Sequence, residues 1–141
     1  MSRTNPKMRD FANRLIAIET GENESSETGT PAAVHVAEKL RRHLSTLMGN
    51  AGFRGLLSRA LALAGAEVRW LRSVEVKADG SLAGLEEHAQ LKPDEFLEGS
   101  IALLDELLGL LVAFIGEDMT LRLVRDVWPG VPLDDRDGGR R

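Results

Sequence analysis

The stretch FLEGSIALLDELLGLLVAFI, residues 96–115, decides the reading of this 141-residue chain, because nine residues from Leu107 to Ile115 carry no charge on what reads as a helix. A helix that is apolar nearly all round has to be covered nearly all round. The stretch therefore predicts an all-α bundle of five or six helices around an apolar central helix at about residues 94–115. Pro93 suits its start. Gly116 suits its end, and Glu117 and Asp118 suit the first turn of another helix, whose apolar face runs through Leu121, Val124, Val127 and Trp128. A single helix kinked at Gly116 is the competing reading.

Outward from that centre, Asn5-Pro6 and Thr30-Pro31 each place a capping residue before a proline suited to a first helical turn. The first predicts an amphipathic helix with Met8, Phe11, Ala12 and Leu15 in register, assigned to a segment at 1–20. A flexible linker follows at 21–30, where GENESSETGT has no apolar residue. So loosely tethered a helix is free to dock on its own bundle or on a neighbour's. The core domain spans 31–129 and a disordered tail 130–141.

Within the core domain, Ala33, Ala37, Leu40, Leu44 and Leu47 line a second helix ending near Gly49. Phe53, Leu57, Ala60, Leu61, Ala64, Val68 and Leu71 line a third, with Asn50 as its cap. Alternation around Asp79-Gly80 predicts a small β-hairpin or extended loop at 74–82, and a short helix is expected at 86–90. The expected core is Leu40, Leu44, Leu47, Phe53, Leu57, Leu61, Leu104, Leu108, Leu111, Val112, Ile115, Leu121 and Val124.

Charge is distributed unevenly. Net charge is −4, yet residues 31–77 hold eight Lys or Arg against three acids, and residues 78–121 hold Lys92 against ten acids. Basic helices flanking an acidic one within a bundle account for this, as do complementary faces of neighbouring subunits. The acidic total, a pI near 5.4 and the lack of an aromatic stacking surface argue against nucleic acid as a partner. No run approaches the roughly 20 apolar residues that span a bilayer, so a membrane is not an expected partner either. With no cysteine, disulfides and thiolate chemistry are excluded, and a cytoplasmic setting is expected.

Candidate functional residues are few. Trp70 lies off the apolar stripe of its helix, opposite a flank bearing Arg54, Arg69 and Arg72; together with Trp128 these are candidate interaction residues. Asp105 and Glu106 interrupt the central helix and are candidate buried acids, with Arg54, Arg59 or Arg72 as expected partners. Leu103, Leu107, Leu110, Phe114 and Trp128 outline a candidate apolar pocket. His35, His43 and His88 have no ligand spacing, and no glycine motif cradles a phosphate, so neither metal nor cofactor is expected. The expectation is a non-catalytic protein–protein interaction or regulatory module that self-associates or binds another protein. The alternative is a helical pocket for an apolar small molecule or lipid.

The segments EKLRRHLSTLMGNAGFRGLLSRALALAGAEV (38–68), VKADGSLAGL (76–85) and FIGEDMTLRLVRDVWP (114–129) resemble a group of small bacterial proteins over about residues 6 to 135. The resemblance implies a bacterial, cytoplasmic, helical protein. It carries no residue roles.

Overall fold

Helix α3 (Pro93–Ile115) has its most extensive contacts with α2 (Ala32–Glu67), followed by α1 (Pro6–Glu22) and α4 (Glu117–Val127). The computed structural model describes residues 6–22, 32–84 and 93–129. After α2 the chain makes a 3₁₀ turn (Arg69–Ser73), then a two-stranded antiparallel sheet of β1 (Glu75–Val76) and β2 (Leu82–Ala83). Glu75 is paired with Ala83 and Val76 with Leu82. The class is all-α with a small hairpin. The described residues form four helices rather than five or six. The short helix expected at 86–90, the tail at 130–141 and most of the linker at 21–30 lie outside them.

The helix count turns on Gly49. The two helices expected on either side of it are numbered together as α2, and Gly49, at φ 83° and ψ 158°, breaks the helical backbone between them. Gly116, at φ 92° and ψ 158°, separates α3 from α4 in the same way. This backbone region is essentially closed to residues with a Cβ, so both turns depend on glycine. At Gly116 the chain therefore breaks rather than bends. Thr120 then steadies the new helix by donating its hydroxyl to the Gly116 carbonyl at 2.8 Å.

Periodicity places most of the core. Phe53, Leu57, Ala60, Leu61, Ala64, Val68 and Leu71 are all buried, as are Leu40, Leu44, Leu104, Leu108, Leu111 and Val124. A fully buried leucine contributes roughly 1.5–3 kcal/mol of transfer free energy. Val112, Ile115 and Leu121 are only half-buried, and Leu47 is 56% exposed. Leu47 sits in an open groove with Arg42, His43 and Val127, because helical angle alone does not bury a residue unless another element lies over it. The central helix is also less enclosed than its composition predicts, with Leu97 and Phe114 exposed near its two ends.

The start of α3 is locked by Trp70. Its ring stacks on Phe96 with centroids 6.0 Å apart, and its indole N–H donates to the Glu95 carbonyl at 3.0 Å. Gly99 makes this approach possible, since a Cβ there would lie 2.4 Å from the Trp70 ring. Gly99→Ala should therefore lower stability by about 1–3 kcal/mol through overpacking. Gly109→Ala, where a Cβ meets nothing within 4 Å, should raise it by about 0.5–1 kcal/mol through helix propensity. Urea unfolding of both variants checks the pair, and equal effects would contradict the packing of Trp70 on Gly99.

Candidate functional site

A cavity of about 270 Å³ opens between α2, α3 and the hairpin. From α3 come Ser100, Leu103, Leu104 and Leu107, positions i, i+3, i+4 and i+7 that share one helical face. Val34, Ala37 and Glu38 repeat that spacing on the first half of α2, and Phe53 and Leu57 come from its second half. The break at Gly49 lets one helix supply two walls. Lys77, Gly80, Ser81 and Leu82 of the hairpin complete the lining.

The hairpin is pinned to the break by side chains from α2. Asn50 donates its amide to the Ala78 carbonyl at 3.0 Å, and Arg41 reaches the Asp79 carbonyl at 3.4 Å. Asn50, expected as a helix cap, ties the hairpin down through this bond. Asp79 closes the turn by accepting from the Ser81 hydroxyl at 2.6 Å and the Ser81 N–H at 2.9 Å. These bonds hold its carboxyl below the usual range, helped by the positive field of Arg41 and Lys77. At the rim, both Nε and Nη2 of Arg41 donate to Glu38, and this pairing raises the guanidinium's proton affinity.

Within the cavity one polar group stands apart. Ser100 is 4% exposed, and its hydroxyl has no hydrogen-bond partner among the described residues. Leaving a buried hydroxyl unpaired costs about 1–3 kcal/mol, and such groups are uncommon enough to need a reason.

Two ionic clusters lie on α1. Asp105 is fully buried and accepts from Arg9 Nε at 2.8 Å, while Arg9 Nη2 reaches the two carboxylate oxygens of Glu67 at 3.1 and 3.2 Å. Hydrogen bonding to Glu67 and then to Asp105 raises the affinity of Arg9 for its proton. Glu19, 1% exposed, accepts from the Trp128 indole at 2.8 Å and pairs with Lys39. The fold thus places a guanidinium and a carboxylate of α1 in contact with α2, α3 and the residue that follows α4.

The structure redistributes the residues singled out from sequence. Asp105 and Glu106 are both buried, but the guanidinium at Asp105 is Arg9 of α1, not Arg54, Arg59 or Arg72, because α1 packs along this part of α3. Trp128 is 2% exposed and bonded to Glu19, so it is a core residue rather than a surface anchor, and it does not line the cavity. Trp70 is half-buried on α3. Arg54 is half-buried, and Arg69 and Arg72 are exposed; Arg72 donates to the Gly65 carbonyl at 3.1 Å. Leu103 and Leu107 line the cavity, whereas Leu110 is half-buried elsewhere and Phe114 is 69% exposed.

Sequence reasoning passed over Arg9, Glu19, Lys39, Ser100 and Lys77. Two of them had a visible signal: Glu19 continues the Met8, Ala12, Leu15 stripe at helical spacing, and Ser100 lies in register with Leu103, Leu104 and Leu107.

Among the described residues no group of three or more His, Cys, Asp or Glu is placed to hold a metal ion. No helix among them is long and apolar enough to cross a membrane. Compared with protein-family models, with curated proteins and with solved structures, the chain finds no match.

Arg9→Met removes a charged donor from buried Asp105 while keeping an apolar stem. Arg9 itself is 39% exposed, so solvent moderates the loss, and a decrease of about 1–2 kcal/mol is expected in chemical denaturation. An unchanged midpoint would mean that Asp105 does not depend on α1.

Proposed function

We propose that this protein is a non-catalytic binding module whose α2–α3–hairpin cavity takes a small, mostly apolar molecule bearing a hydrogen-bonding group. The observation that carries this reading is the Ser100 hydroxyl, buried without a partner among the described residues in a cavity whose walls are mostly aliphatic and aromatic and whose charged lining residues are Glu38 and Lys77. Apolar walls with few convergent polar groups are the usual make-up of a ligand site. Size supports the reading too. An apolar cavity of about 150 Å³ accommodates benzene, so about 270 Å³ suits by proportion on the order of eleven non-hydrogen atoms. Binding without catalysis is favoured because the lining's one carboxylate, Glu38, is held by Arg41, and the Ser81 hydroxyl is spent within the hairpin turn on Asp79, whose carboxyl is held below the usual range and is a weak base.

Thermal unfolding with a panel of compounds of about that size tests the proposal. A ligand at a hundred times its Kd adds about 2.7 kcal/mol, a rise of roughly 5–10 °C in Tm for a chain of this length. Leu104→Trp, which fills the cavity, should abolish the rise. Ser100→Ala should raise the ligand-free stability by about 1 kcal/mol and weaken binding. Absence of any shift across the panel would end this reading.

Self-association is a second reading, favoured by exposed Phe114 and Met119 on either side of Gly116, beside Glu117 and Asp118. Light scattering should then give a multiple of 15.4 kDa, returning to the monomer value in Phe114→Glu. A monomer at all concentrations would remove it.

A further inference from the structure

The rim of the cavity narrows the chemistry of its ligand. Two charged side chains line it, Glu38 and Lys77. Glu38 is already engaged by two nitrogens of Arg41. Lys77 forms no ion pair or side-chain hydrogen bond among the described residues. The nearby Asp79 carboxylate, whose field it shares, is taken up by the Ser81 N–H and hydroxyl. An incoming molecule therefore meets one neutralised acid and one uncommitted ammonium at the mouth, then apolar walls, then the hydroxyl of Ser100.

Building on the small-molecule reading above, we propose that the ligand is a small hydroxy- or oxo-substituted monocarboxylate. Its carboxylate sits on the Lys77 ammonium, its carbon chain lies against Leu103, Leu104, Leu107 and Phe53, and its inner oxygen bonds to Ser100. The order of groups follows from the cavity itself. A carboxylate driven inward would lose its hydration against one neutral hydroxyl, which is strongly unfavourable, whereas at the rim it stays partly hydrated and gains a charged donor. A cation at the rim would face Lys77, with the opposing acid already spent on Arg41. Lys77 sits between two residues held in place: Val76 by its pairing in the sheet and Ala78 through Asn50. That anchoring reduces the ordering cost of using a surface side chain.

Calorimetry on the full chain with three matched probes tests the assignment: 8-hydroxyoctanoate, octanoate and 1,8-octanediol. The expected order is 8-hydroxyoctanoate tightest, with the diol weaker by about five- to tenfold, as a charge-assisted hydrogen bond at a partly hydrated site provides. Lys77→Met, an exposed position whose apolar stem is preserved, should weaken the two acids and leave the diol unchanged. Ser100→Ala should cost 8-hydroxyoctanoate its advantage over octanoate. If acid and diol bind equally, or Lys77→Met weakens both alike, the carboxylate assignment is overturned while the cavity remains a ligand site. If no probe binds and Leu104→Trp leaves every titration unchanged, the assignment falls together with the small-molecule reading.

Discussion

Asp105 sits at zero exposure on the helix that every other helix packs against, and an ionised carboxylate so placed must be answered from a neighbouring element. Arg9 provides that answer from α1 and at the same time grips Glu67 at the end of α2. One guanidinium thus couples the first helix, the end of the longest helix and the central one. Its planar fork can serve two carboxylates in a way that a lysine ammonium cannot. The net energy of such a pair is modest once desolvation is counted. Its larger consequence is register, because α1 is held on α3 where Met8, Phe11, Ala12 and Leu15 are buried.

The second polar tie acts at the opposite end of α1. Glu19 joins Trp128 just beyond α4 and Lys39 on α2, so the helix that sequence alone leaves loosely tethered is fastened at both ends within its own chain. Trp128 shows how an aromatic residue with a polar handle can be fully enclosed when a carboxylate is brought to its N–H. The uneven charge along the sequence is accordingly answered in part by α1, and the exposed arginines of the 31–77 segment, among them Arg69, stay on the surface.

Beside these polar ties the α2–α3 cavity is set apart by its apolar walls, although His35 Nε2, Ser45 Oγ and Arg54 Nε are, like the Ser100 hydroxyl, buried without a hydrogen bond among the described residues. Its apolar walls would pack more densely with one larger side chain, and its hydroxyl carries a desolvation cost without compensation from the protein. Binding sites commonly hold such locally unfavourable arrangements, stabilised by the rest of the fold. The cavity exists because Gly49 interrupts α2. Val34 and Ala37 come from one side of that interruption, Phe53 and Leu57 from the other, and the hairpin pinned by Asn50 and Arg41 caps the gap. A continuous α2 would carry these residues apart along one straight axis.

Local chemistry made several elements legible in the sequence. The stripe from Phe53 to Ala64 was readable because five apolar residues at helical spacing admit one buried face, although Val68 and Leu71, expected on the same helix, lie past its end at Glu67 in extended and 3₁₀ backbone. Asp79-Gly80 was readable because few backbones suit that pair except a tight turn. Gly49 and Gly116 were recognisable as ends, since glycine is the residue that tolerates the required dihedrals. Partnerships were not legible. That Arg9 rather than Arg54 meets Asp105, that Trp128 is enclosed by Glu19, that Leu47 is left uncovered and that Ser100 faces a cavity with Lys77 at its mouth all depend on how helices distant in sequence are stacked. The sequence by itself determined which faces had to be buried and where the chain had to turn, because periodicity and backbone sterics are local. Only the tertiary structure decided which polar groups meet, because that is set by contacts between elements whose relative placement no local pattern encodes.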